Sequence, residues 1–139
     1  MKMGQVLTFV GCLLCLFVGC GEKPIDYSAI KLVTVRGQVT LDGSPLPDAR
    51  VRFVGEDGAG SEATTDSNGK YTLRYDSNRL GATPGKKKVI ITTAKEAAGD
   101  DPDAKSERER VPAKYNSATE LEVEVSNERT VYDFQLATT

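Results

Sequence analysis

From residue 32 onward, apolar and polar positions alternate with a period of two, the signature of strands that bury one face. Val33, Val35, Gly37, Val39 and Leu41 fall on one side of the first run, with Thr34, Arg36, Gln38 and Thr40 opposite. Asp42-Gly43 then predicts a tight turn with positive φ. A second strand carries Ala49, Val51 and Phe53 inward and Arg50 and Arg52 outward. Gly55 to Gly60 reads as loop, and Ser61 to Thr65 as a weaker strand. Asn68-Gly69, inside Asp66-Ser67-Asn68-Gly69, predicts a hairpin turn with positive φ at both positions. The returning strand places Tyr71, Leu73 and Tyr75 inward, with Lys70, Thr72 and Arg74 outward.

After a bend from Gly81 to Gly85, a strand over 86–93 turns Val89 and Ile91 inward and Lys86 to Lys88 to solvent. Leu121, Val123 and Val125 alternate with Glu120, Glu122 and Glu124, and Tyr132, Phe134 and Leu136 with Val131, Asp133 and Gln135. About seven strands with regular turn signals, and no helical period, predict an all-β fold: a sandwich of two antiparallel sheets, prealbumin-like or Ig-like.

The first 19 residues follow a different rule. Met1-Lys2 precedes an apolar stretch from Val6 to Val18, shorter than the ~20 residues that span a bilayer as a helix. A charged start, an apolar segment and small residues before a cysteine make the layout of an export signal. Val18-Gly19-Cys20 resembles the lipobox of bacterial lipoproteins. That resemblance implies cleavage before Cys20, a diacylglycerol on its sulfur and a further acyl chain on its amine. It implies an extracytoplasmic, membrane-anchored protein of the cell envelope, with Gly21 after the cysteine leaning towards an outer membrane. Residues 1–19 are then a signal peptide and 20–31 a lipidated cysteine and tether. Residues 32–139 are the folded domain, with a charged insertion over 95–113. Ten tether residues reach at most roughly 35 Å.

Composition narrows the chemistry. Formal net charge is −2 over the whole chain, and becomes −3 once the segment holding Lys2 is removed. Mild acidity argues against a nucleic-acid partner. Cys12, Cys15 and Cys20 all lie in or at the end of the signal, so the domain has neither disulfide nor thiol. With no histidine in the chain, Ser-His-Asp and Cys-His catalysis are excluded and the commonest metal ligand is missing. Asp66-x-Asn68-Gly69 opens like a calcium loop, but Lys70 and Ser77 stand where an EF-hand needs ligands. The reading is no enzyme, no cofactor and no metal.

Two segments of motif support a second resemblance. Val35 to Val54 holds a G-x-V strand, an Asp42-Gly43-Ser44-Pro45-Leu46 turn and an A-x-V-x-F strand; Thr65 to Leu73 reads T-D-S-N-G-K-Y-T-L. Both resemble carboxypeptidase regulatory-like domains. Val111-Pro-Ala-Lys-Tyr-Asn116, with Tyr132 to Leu136, is similar to small bacterial lipoproteins built on that domain. The resemblance implies a transthyretin-like sandwich that acts as a folding, spacing or binding module. The transthyretin-fold hydrolase that opens 5-hydroxyisourate uses histidines and a C-terminal Tyr-Arg-Gly-Ser, both missing here.

The expected function is a non-catalytic interaction or structural module, held to a membrane by its lipid and facing an envelope protein or wall polymer. The alternative is a binder of an envelope carbohydrate or peptide. Cys20 is the lipidation site. The candidate contact residues are Lys95, Asp100, Asp101, Asp103, Lys105, Arg108 and Arg110, in a charged segment with almost nothing apolar before Val111.

Overall fold

The computed structural model describes residues 29–95 and 108–139. Cys20 and the expected tether up to residue 28, and Asp100, Asp101, Asp103 and Lys105, lie outside the described residues. The rest forms eight strands in two sheets: β1 Arg36–Leu41, β2 Ser44–Pro45, β3 Arg50–Val54, β4 Gly60–Thr64, β5 Lys70–Thr72, β6 Gly85–Thr92, β7 Glu122–Val125 and β8 Phe134–Leu136. A 3-10 turn, Ala113–Tyr115, precedes β7.

One sheet is built on β1. Its odd residues send their backbone groups to one side, where Val39 donates to Gly69 O and accepts from Leu46 N. β5 and β2 therefore follow one another along the same edge, both antiparallel. Even residues face the other edge, where Tyr132 N donates to Arg36 O and β8 pairs in parallel, Val39 opposite Phe134. This parallel pair departs from the all-antiparallel expectation, so the sheet is mixed. The second sheet, in the order β4-β3-β6-β7, is antiparallel throughout.

The period-two alternation holds through Leu73; Tyr75, expected inward as well, is only half-buried and lines the outer concavity with Arg74. Val35, Val39, Val51, Phe53, Leu73, Val89, Ile91, Val125 and Tyr132 are almost wholly buried between the sheets. Phe53 of the second sheet meets Tyr132 and Phe134 edge-on, with ring centroids 5.9 and 6.1 Å apart. Edge-to-face contact suits the quadrupoles of the rings and adds to the burial. Tyr132 also spans the sandwich, its hydroxyl donating to Glu124 O of β7 at 2.7 Å.

Three local expectations need correction. The Asp42-Gly43 turn has positive φ at both residues (50° and 84°), but at Asn68-Gly69 only the glycine is left-handed, at 71°. Asn68 needs no special conformation there. The turn is instead closed by Gly69 N donating to Asp66 O, while Asp66 Oδ1 accepts from Asn68 N and Lys70 N.

That hairpin also splits. It is bonded at the turn, Asp66 N to Lys70 O, and again at Glu62 with Arg74. Between those points β4 pairs with β3 and β5 pairs with β1, so the two arms enter different sheets. Lys87, expected outside with its neighbours, is 6% exposed on the inner face, and its Nζ donates to Thr83 Oγ1 at 2.7 Å.

Candidate functional site: an arginine-lined concavity on the second sheet

Because Val51 and Phe53 point into the core, Arg50 and Arg52 project from the outer face of β3. Antiparallel partners share a face. Thr64 and Thr92 thus flank Arg50, and Glu62 and Ile90 flank Arg52. The Glu62–Arg74 bridge extends this second row by one chain, and Leu80, opposite Arg74, extends it again. The outer face thus presents a row of Ile90, Arg52, Glu62, Arg74 and Leu80, with Arg50 one row along.

Arg50, Arg52, Glu62, Arg74, Tyr75 and Asp76 line a concavity of about 530 Å³ over this face. Its lining holds three arginines against two carboxylates. Glu62 lies between two of them and reaches Arg52 at 3.6 Å. Asp76 is committed elsewhere: it pairs with Arg79 at 2.6 Å and caps the backbone N–H groups of Asn78 and Arg79. Those bonds, the Arg79 side chain foremost, hold its carboxyl below the usual carboxylate range. Arg74 donates to Ser77 O at 3.1 Å. Arg50 has no ion pair among the described residues. One face of the Tyr75 ring is covered by the Arg79 guanidinium, 5.0 Å from its centroid.

Arg50 also borders a second concavity, of about 490 Å³, with Thr92, Ala94 and Lys95. This places Lys95, an expected contact residue, just past the end of β6 on the same face of the molecule. Arg108 is exposed, and exposed Arg110 is tied back by its Nη2 to Pro47 O at 3.0 Å. The other expected contact residues of this segment lie outside the described residues.

The far end of the charged segment is firmly held, which alternation alone could not reveal. Glu109 accepts from the Thr92 hydroxyl, from Thr93 N and Oγ1 at 2.9 and 2.8 Å, and from Val111 N at 2.9 Å. Burial alone would raise its pKa; those four donors, Thr92 first, outweigh it and bring the carboxyl down to about 2. Val111 is buried in the core, and the Asn116 amide donates to Val111, Pro112 and Ile91 carbonyls. Thr119 Oγ1 continues along β6 to Val89 O at 2.7 Å. Within the segment expected as an insertion over 95–113, the chain is thus joined to the core from Glu109 onward.

The acidic stripe Glu120, Glu122 and Glu124 lies across the same sheet from the arginines, with Glu122 paired to Lys86 at 3.1 Å. Among the described residues there is no group of three or more His, Cys, Asp or Glu able to hold a metal ion. No described helix is long and apolar enough to cross a membrane. No family model, curated protein or solved structure matches the chain.

Proposed function

We propose that this protein is a lipid-anchored module of the cell envelope that binds a partner without catalysing a reaction, using the outer face of the β4-β3-β6-β7 sheet. The observation that carries the reading is the concavity lined by Arg50, Arg52 and Arg74. A purely structural sandwich would need only flat faces, whereas ligands favour concave sites with convergent polar groups. The anchor rests on the lipobox-like Val18-Gly19-Cys20 and on its resemblance to bacterial lipoproteins. Several acyl chains at ~0.8 kcal/mol per buried methylene would hold the domain at a membrane permanently. The resemblance of residues 35–73 to carboxypeptidase regulatory-like domains supports a binding or spacing role.

The anchor is tested by fractionating cells that express Cys20→Ala. The expected outcome is loss of the protein from membranes or a block in its processing; unchanged attachment overturns the lipoprotein reading. The binding role is tested by affinity capture from intact cells after lysine crosslinking. Crosslinks from Lys95 to one envelope component, weakened by Arg50→Glu, are expected. Crosslinks spread evenly over the surface lysines would return the domain to a passive structural role.

A further inference from the structure

We infer that the arginine-lined concavity takes an extended peptide segment with acidic residues at alternate positions. This rests on the binding face proposed above, and names the chemistry that face selects. Three observations converge. The concavity carries an excess of guanidinium groups: three arginines face two carboxylates, one of which is occupied by Arg79. Arg50 has no ion pair among the described residues, so a ligand carboxylate meets it without displacing an internal one. The planar guanidinium fork matches a carboxylate bidentately, which gives geometry as well as attraction.

Spacing supplies the third observation. Arg50 and Arg52 are alternate residues of one strand, so their Cα atoms lie about 6.6 Å apart. The i and i+2 side chains of an extended peptide repeat at the same distance. Acidic residues at alternate positions would thus meet both arginines in step. Arg74, two chains across from Arg52, adds a third cation about 10 Å to the side. A sugar ligand is less suited, because stacking needs open aromatic faces, and Tyr75, the one aromatic residue of the lining, has one face taken by Arg79. Exposed Leu80, 52% accessible at the end of the row, offers an apolar contact beside Arg74.

The test is fluorescence anisotropy of the full chain in non-ionic detergent, with the labelled peptide Thr-Glu-Thr-Glu-Thr-Glu as probe. Its Gln-for-Glu counterpart and polygalacturonate serve as comparisons. Saturable binding of the acidic peptide is expected, weakening steeply with salt because the contacts are charged. Arg50→Gln and Arg74→Gln should each weaken it about three- to tenfold, a range set by partly exposed charged hydrogen bonds. Lys114→Gln, within the 3-10 turn and outside the lining of the concavity, should leave it unchanged. Equal affinity for the Gln peptide, or no effect of Arg50→Gln in a variant with the parental melting temperature, overturns the proposal. Tighter binding of polygalacturonate overturns it in favour of an anionic glycan. Peptide binding that survives in the Cys20→Ala protein keeps this inference intact even where the membrane anchor fails.

Discussion

At the scale of single residues, Gly37 shows how a backbone crossing dictates a side chain. It occupies an inward position of β1, yet nothing larger than hydrogen fits. A Cβ there would lie 1.8 Å from Tyr132 O and 3.0 Å from the Tyr71 ring. The Tyr71 hydroxyl donates to that same carbonyl at 2.6 Å, and burial, with Asp133 and Tyr132 nearby, raises the phenol's pKa well above its ordinary value. The space over Gly37 is thus filled by main chain and a buried hydroxyl, neither of which can move aside cheaply. Gly37→Ala should therefore destabilise the fold by about 3 kcal/mol or more, measured by urea unfolding. A change below about 1 kcal/mol would show that β8 shifts without loss.

At the scale of elements, the turn before β5 separates two roles that the sequence merges in one dipeptide. Gly69 has φ 71°, and a Cβ there would sit 2.4 Å from Val39 O. Asn68 has no such constraint, and it serves the turn through main-chain groups, its O accepting from Gln38 Nε2 and its N donating to Asp66. Gly69→Val should cost about 2 kcal/mol or more, while Asn68→Ala stays within about 1 kcal/mol in thermal unfolding.

The alternation of Val51 and Phe53 with Arg50 and Arg52 was legible from the sequence, and with it the outward arginines of the site. The partnership of Arg74 with Glu62 was not, because it depends on a hairpin that opens in its middle and closes again. The inward turn of Lys87 follows from the same alternation that buries Val89 and Ile91, and its place among three consecutive lysines masked it. Glu109 was hidden for another reason. Three of its four donors come from Thr92 and Thr93, some sixteen residues upstream, and no local period links the two ends of a loop.

At the scale of the whole molecule, acid should expose the cost of that clamp. Glu109 titrates at about 2 in the fold against 4.5 as a free side chain, so its contribution is complete above about 4.5 and is lost as pH falls towards 2. Asp42, held by the backbone and hydroxyl of Thr138, and Asp76 are lowered as well, and add to the same acid limb. The melting temperature should fall across this window. Glu109→Gln should lower it at neutral pH and flatten part of the decline below pH 4.5, read by calorimetry at several pH values. A variant whose decline parallels the parent would show that Glu109 does not carry it.

The parallel pairing of β1 with β8 has a mechanical consequence. Chain enters β1 at one end of the sandwich and leaves β8 at the other, where Thr138 is tied to Asp42. A pull applied between the residues before β1 and those after β8 therefore draws these two neighbouring strands past each other lengthwise. Their cross-links bear the load together instead of opening one after another, so tension along this direction is the one this sheet resists most.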